Sequence, residues 1–217
     1  MLTTAGTVIF QLFNVPNTMD LMPRYNIAPG QEAPIVRIEH GARRLTNARW
    51  GLVPPWARDR SIGARLINAR SETVATKPAF TSAFRARRCL VAADGFYEWR
   101  REGRTRQPYC IRFLDRRPFG IAGLWESWQA PGRPIFETFT ILTTAPNTIV
   151  APLHNRMPVI IDPRDHDLWL DPQVHAQEAL QPLFRPFPAD EMEAWPVSRL
   201  VNDPHNEGPR CLDSPIE

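Results

Sequence analysis

The chain has 217 residues, 43% hydrophobic and 23% charged, the balance of a globular protein with one core, so a single domain over 1–217 is expected and a disordered or fibrous chain is excluded. Apolar runs such as Met157 to Ile161 are too short to span a bilayer, no charged-then-apolar leader opens the chain, and Cys89, Cys110 and Cys211 lack metal spacing; a cytoplasmic protein is expected, with no membrane partner, metal, cofactor or disulfide framework. Net charge is only +3, yet Lys77 is the one lysine against 25 arginines, and there are seven tryptophans, a composition that permits a nucleic-acid partner through phosphate recognition and base stacking, although genome composition produces the same bias.

In chain order, Thr3 or Thr4 is expected to cap a short helix with Val8, Ile9, Leu12 and Phe13 on one face, ending near Asn14 to Pro16. A polar loop runs through Pro23, and Tyr25 to Gly30 reads as a turn in extended chain. Pro34 to Glu39 and Arg44 to Trp50 alternate as strands of a hairpin turning at His40-Gly41-Ala42. Gly51 to Arg60 is a loop, Leu66 to Arg70 a short strand, and Ser71 with Glu72 opens a mainly helical stretch to Arg88 interrupted at Pro78. Leu90 to Ala93, Gly95 to Arg101, Pro108 to Phe113, Phe119 to Trp125 and Phe136 to Thr144 read as strands, with a charged hairpin tip from Arg101 to Arg106. Pro163 to Leu170 and Ala176 to Phe184 read as helical, and Trp195 to Leu200 as a closing strand. Twenty-three prolines spread without a block, together with short connections, predict a single α+β domain around a strongly curved, mostly antiparallel, barrel-like sheet with marginal helices, and a monomer is expected although the sequence does not fix the oligomeric state.

Three polar residues sit in apolar strand contexts: Asn68 after Leu66-Ile67, Glu98 between Tyr97 and Trp99, and His154 after Pro152-Leu153. Strand alternation lets Glu98 face either solvent or a pocket, a lone histidine is ordinarily structural, and Asn68 is equally suited to satisfying a buried backbone group. In one pocket they would supply a carboxyl whose pKa burial raises, an imidazole and an orienting amide. No nucleophile elbow, Walker loop, His-Glu-Xaa-Xaa-His or paired Cys-Xaa-Xaa-Cys occurs, which removes the usual hydrolase, nucleotide and zinc readings. The loop from Trp50 to Trp56, followed by Arg58 and Arg60, reads as a stacking edge for unpaired bases or as a tryptophan-filled core corner, the latter better for Trp50 than for Trp56.

The sequence resembles the SOS response-associated peptidase (SRAP) family of abasic-site processing proteins over almost its whole length. The blocks, in order, are Pro23-Arg24-Tyr25-Asn26-Ile27-Ala28-Pro29, Trp50-Gly51-Leu52-Val53-Pro54, Ile67-Asn68-Ala69-Arg70, Ala93-Asp94-Gly95-Phe96-Tyr97-Glu98-Trp99, Ala122-Gly123-Leu124-Trp125, Leu142-Thr143-Thr144-Ala145, His154-Asn155-Arg156-Met157-Pro158 and Pro196-Val197-Ser198-Arg199. The resemblance implies binding of single-stranded DNA and capture of an abasic-site aldehyde by an amino-terminal Cys, exposed by removal of the initiator Met, whose amine condenses and whose thiol closes a thiazolidine. It further implies that Asn68 orients the nucleophile, that Glu98 moves protons, and that His154 protonates the sugar oxygen or assists reversal. Arg70 and Arg156 match positions that hold the flanking phosphates, and Pro29, Trp56 and Thr144 match positions lining the DNA path.

Two departures stand out. Asn155 replaces the family's usual Asp, which removes a charge beside His154. The family opens Met-Cys-Gly-Arg, whereas this chain opens Met1-Leu2-Thr3-Thr4, so no stable thiazolidine is expected and the rival reading is a noncovalent single-stranded DNA binding module. A generic peptidase or amidase lacks a nucleophile with a local motif, and Cys89 reads as core.

Overall fold

A computed structural model describes residues 1–16 and 19–215, together with every side chain in that range except that of Glu102; part of the expected polar loop before Pro23, Asn17 and Thr18, lies outside the described residues. In chain order the elements are α1 (Gly6–Phe13), β1 (Glu32–Glu39), β2 (Ala42–Trp50), β3 (Asn68–Arg70), α2 (Thr81–Ala86), β4 (Arg88–Ala93), β5 (Phe96–Glu102), β6 (Thr105–Phe113), β7 (Phe119–Trp128), β8 (Phe136–Thr144), β9 (Met157–Pro158), β10 (Ile160–Ile161), α3 (His166–Leu170), α4 (Gln177–Leu180) and β11 (Met192–Pro196).

Five strands close on themselves in the order β7-β4-β1-β2-β8, because β8 pairs with β7 as well as with β2. Only the contacts of β8 with β2 and β3 are parallel; the other strand pairs are antiparallel. The expected curved α+β fold is therefore what the chain forms. β5, β6 and β11 make a separate antiparallel sheet in the order β11-β6-β5.

Alternation along the strands divides the core. One face sends Val36, Leu45, Leu90, Leu124 and Leu142 against Ile9, Phe13, Phe84 and Trp169 of the helices. The other packs Ile35, Val91, Ile121, Phe139 and Ile141 with Ile111 and Phe113 of β6 and Met192 of β11, which seats the small sheet on the larger one. The hairpin from β1 to β2 turns where expected, with His40 at φ 50° and Gly41 at φ 78°, the pair of positive φ values that a tight two-residue turn needs.

Several expectations are corrected. Helix α1 has no side-chain cap, because the Thr3 hydroxyl and the Thr4 N–H both donate to the Asp94 carboxylate, each at 2.8 Å. The helical stretch from Ser71 shrinks to six residues, Thr81–Ala86; turns hold the chain before it, with Thr76 and Thr81 hydroxyls donating to the carbonyls of Thr73 and Lys77, the competition with the helix that such residues favour. The closing strand lies earlier, at Met192–Pro196, since Ser198 caps a 3₁₀ turn by accepting from Leu200 N. Among the described residues no helix is long and apolar enough to cross a membrane.

Arg88 ties the helices to the sheet. It is 3% exposed and donates to the carbonyls of Phe84, Trp169, Arg85 and Asp171; burial lowers its pKa to about 10. Arg88→Met keeps much of the stem but strands four carbonyls, two buried and two part-buried, so a urea melt is expected to show a loss of about 3 kcal/mol. A loss under about 0.5 kcal/mol would mean that water replaces the guanidinium.

Candidate functional site

β5 and β6 pair so that Glu98 lies opposite Tyr109 and Phe96 opposite Ile111. Period-two alternation then puts Glu98 on the Phe96 face, the one that meets the core shared with the larger sheet. Leu153 packs on that same cluster and delivers the next residue: His154 Nδ1 lies 3.6 Å from Glu98 Oε1, with the Glu98 side chain 20% exposed and that of His154 49%. Burial pushes the Glu98 carboxyl up to about 7, and the attraction of His154 opposes it. His154 Nδ1 also sits 3.3 Å from the Arg156 backbone nitrogen, so a turn through Asn155 sets the ring.

Arg156 folds back on the neighbouring strands. Its two terminal nitrogens bind the Glu72 carboxylate at 2.7 and 2.8 Å, one also donates to Thr143 O, and its buried Nε has no hydrogen-bond partner among the described residues. The pair holds the Glu72 carboxyl below its ordinary value. Arg70 pairs with the same Thr143 in the ladder between β3 and β8, so both arginines converge on one residue of β8. Arg70 is exposed and makes no ion pair among the described residues, though its charge helps hold the Glu72 carboxyl low.

Of the three sequence candidates, Glu98 and His154 meet. Asn68 is exposed and shares a strand face with Arg70, but among the described residues no hydrogen bond joins it to either. Pro29 is exposed in the turn before β1. Trp56 is 58% exposed, whereas Trp50 donates its indole N–H to Ile67 O and stacks on Phe139, the core-corner arrangement. Thr144 is 5% exposed and its hydroxyl donates to Phe184 O at 2.6 Å.

Sequence reasoning missed Glu72, because its partner Arg156 is 84 residues away and no local pattern marks the pair. It also missed how Asp94 and Gly95 tether the first residues. Gly95 O accepts from the Met1 amine at 3.0 Å, and the Asp94 carboxylate holds Thr3 and Thr4. Burial lowers the pKa of that amine. The Tyr25-Asn26 segment is structural: the buried Asn26 amide donates to Val201, Asp203 and Asn206 carbonyls. The thiols are free and buried; burial pushes Cys110 up to about 12 and Cys89 upward as well, which keeps both protonated and poorly nucleophilic.

A family profile described as SOS response associated peptidase (SRAP) matches residues 2–204. The chain is 41% identical over 211 residues to abasic site processing protein YoqW of Bacillus subtilis, covering 95% of this chain and 94% of that protein. It is 33% identical to abasic site processing protein HMCES of Gallus gallus over 90% of this chain and 67% of that one. Among solved structures, a protein from Bacteroides thetaiotaomicron superposes with a TM-score of 0.77 at 27% identity, covering 85% of this chain and 82% of the other. A phage-related protein from Bordetella bronchiseptica gives 0.70 at 26%, over 90% and 91%.

Proposed function

The chain belongs to the SOS response associated peptidase family, and from that premise we propose that it processes abasic sites in single-stranded DNA, with Glu98 and His154 as the proton-transfer pair. The observation that carries this reading is the half-enclosed Glu98 carboxyl, raised to about 7 beside His154. It is close to evenly divided between acid and base at neutral pH, which is what a group that both gives and takes protons needs. Arg70 and Arg156 hold the phosphates flanking the lesion, Asn68 orients the reacting group, and Pro29 and Trp56 line the strand's path.

The chemistry is condensation of an amine with the aldehyde of the ring-opened sugar. Nitrogen attacks the aldehyde carbon, a C–N bond forms and a proton passes from nitrogen to oxygen to give the carbinolamine; its hydroxyl then leaves as water, breaking the C–O bond, when Glu98 gives it a second proton, and Glu98 recovers one from the nitrogen as the C=N bond forms. The reacting amine belongs to the amino-terminal segment, which Asp94 and Gly95 hold at the head of β5. Ring closure to a thiazolidine requires an accessible thiol, and the thiols of Cys89, Cys110 and Cys211 are buried and poor nucleophiles. That last observation favours the second reading, a noncovalent single-stranded DNA binding module.

Incubation with a single-stranded oligonucleotide carrying one abasic site, followed by borohydride and a denaturing gel, separates the two. The expected result is a covalent band that Glu98→Gln weakens by about a hundredfold. Retention of the strand with no trapped band would leave the noncovalent module. No preference for single strands over duplex would sink both.

A further inference from the structure

We propose that a cavity beside Pro29 is a second nucleic-acid subsite, taking an unpaired nucleotide of the same strand at a distance from the lesion. The proposal rests on the single-stranded DNA reading above. The cavity, of about 420 Å³, is bordered by Pro29, Gly30, Arg49, Arg60 and Phe136, with Gly51 and Gly63 among its lining residues. That volume lies within the range of small-ligand sites, about 300–1,000 Å³.

Its floor is backbone against backbone. A Cβ on Gly51 would lie 2.8 Å from Gly63 O, and one on Gly63 would lie 2.6 Å from Gly51 O, so the two glycines let the 51–65 loop close down on the end of β2. Gly51 also has φ +131°, a backbone region that a side chain disfavours. The walls are cationic and aromatic. Arg49 rises from β2, with its Nη2 3.7 Å from where a Gly30 side chain would begin, and the Arg60 guanidinium stands 5.8 Å from the Phe136 ring centre.

Neither guanidinium has a hydrogen-bond or carboxylate partner among the described residues. Glu32 faces Arg49 across the ladder between β1 and β2 but makes no ion pair with it. The Asp59 carboxylate, also on the rim, is committed to the Ser61 backbone N–H at 2.6 Å. Two cations around a ring and a proline, with only the exposed Asp59 carboxylate acting on one of them, Arg60, fit a phosphate and a base together: guanidinium recognises the phosphate, and Phe136 offers a flat face. Pro29 belongs both to this cavity and to the strand's proposed path, which favours a nucleotide of the bound strand over a free one.

The test measures binding of oligothymidylates built around a stable abasic analogue and lengthened on one side at a time, for the whole chain and for R49Q/R60Q. The unmodified protein is expected to gain about tenfold in affinity when one side, and only one, is extended. The double variant keeps the short-oligonucleotide affinity, loses that gain, and shows a salt dependence shallower by about 1.4 in log–log slope for two fewer phosphate contacts on a single strand. R49K/R60K, which retains the charges, recovers the slope, and thermal melts verify that the variants fold. An equal length gain in R49Q/R60Q overturns the subsite while leaving the DNA reading intact. Failure of the unmodified protein to bind any single strand overturns both. Saturation by free thymidine monophosphate at concentrations that abolish the length gain overturns the assignment to the bound strand.

Discussion

Replacing Arg70 and Arg156 together with alanine is expected to weaken single-stranded DNA binding by more than tenfold at low salt and to flatten its salt dependence. Each phosphate contact on a single strand contributes about 0.7 to the slope of log affinity against log salt, so the double variant should lose about 1.4. The two substitutions should not act alike. Arg70 makes no ion pair among the described residues and acts on Glu72 only through its charge, so its removal deletes a cation and little else. Arg156 is held by Glu72 and Thr143 O, and its loss leaves the Glu72 carboxylate facing the strand, adding repulsion to the missing attraction. Arg156→Ala alone should therefore cost more than Arg70→Ala, and adding Glu72→Gln to it should recover part of the difference. Anisotropy titrations at several salt concentrations measure each slope; an unchanged slope in the double variant would mean that the phosphates lie elsewhere.

Most of the fold was legible because the strands that build it alternate cleanly. β8 falls where the apolar alternation of Phe136 to Thr144 put it, and the hairpin of β1 and β2 is announced by His40-Gly41 between two periodic runs. The failures share a cause: side-chain oxygens that take hydrogen-bond partners other than the expected ones. The Thr3 hydroxyl goes to the distant Asp94 carboxylate, which depends on where the chain has folded, while Thr81 bonds to Lys77 O and Ser198 to Leu200 N within their own turns. β9 and β10, of two residues each, have no period to read. At the site, the residue types were visible and their meeting was not. Glu98 and His154 come from the separate small sheet and the loop after β8, and what joins them is a shared apolar cluster that includes Leu153. Thr144 resembled a DNA-lining residue, and its strand position turns the hydroxyl toward Phe184 O.

The Glu98 carboxyl should be visible in stability as well as in chemistry. Its pKa in the folded chain, about 7, lies above its ordinary value of 4.5, so the fold prefers the protonated form. The stability that this preference contributes is fully present below about pH 4.5 and is lost as the pH rises through about 7. At pH 8 the folded chain carries an ionised, largely desolvated carboxylate, with a penalty of about 3 kcal/mol at the upper limit and less where His154 compensates it. Glu98→Gln keeps the shape and removes the titration. The variant is expected to melt several degrees above the unmodified protein at pH 8, at about 2–4 °C per kcal/mol for a chain of this size, with the difference closing by about pH 5. Its abasic-site chemistry should meanwhile fall by about a hundredfold or more, while single-stranded DNA binding through Arg70 and Arg156 persists. Gain of stability with loss of chemistry is the signature of a strained functional carboxyl. Melting curves of both proteins from pH 5 to 8 that run parallel would show that Glu98 titrates like an ordinary surface carboxylate, and the proton-transfer role would then have to move to His154 alone.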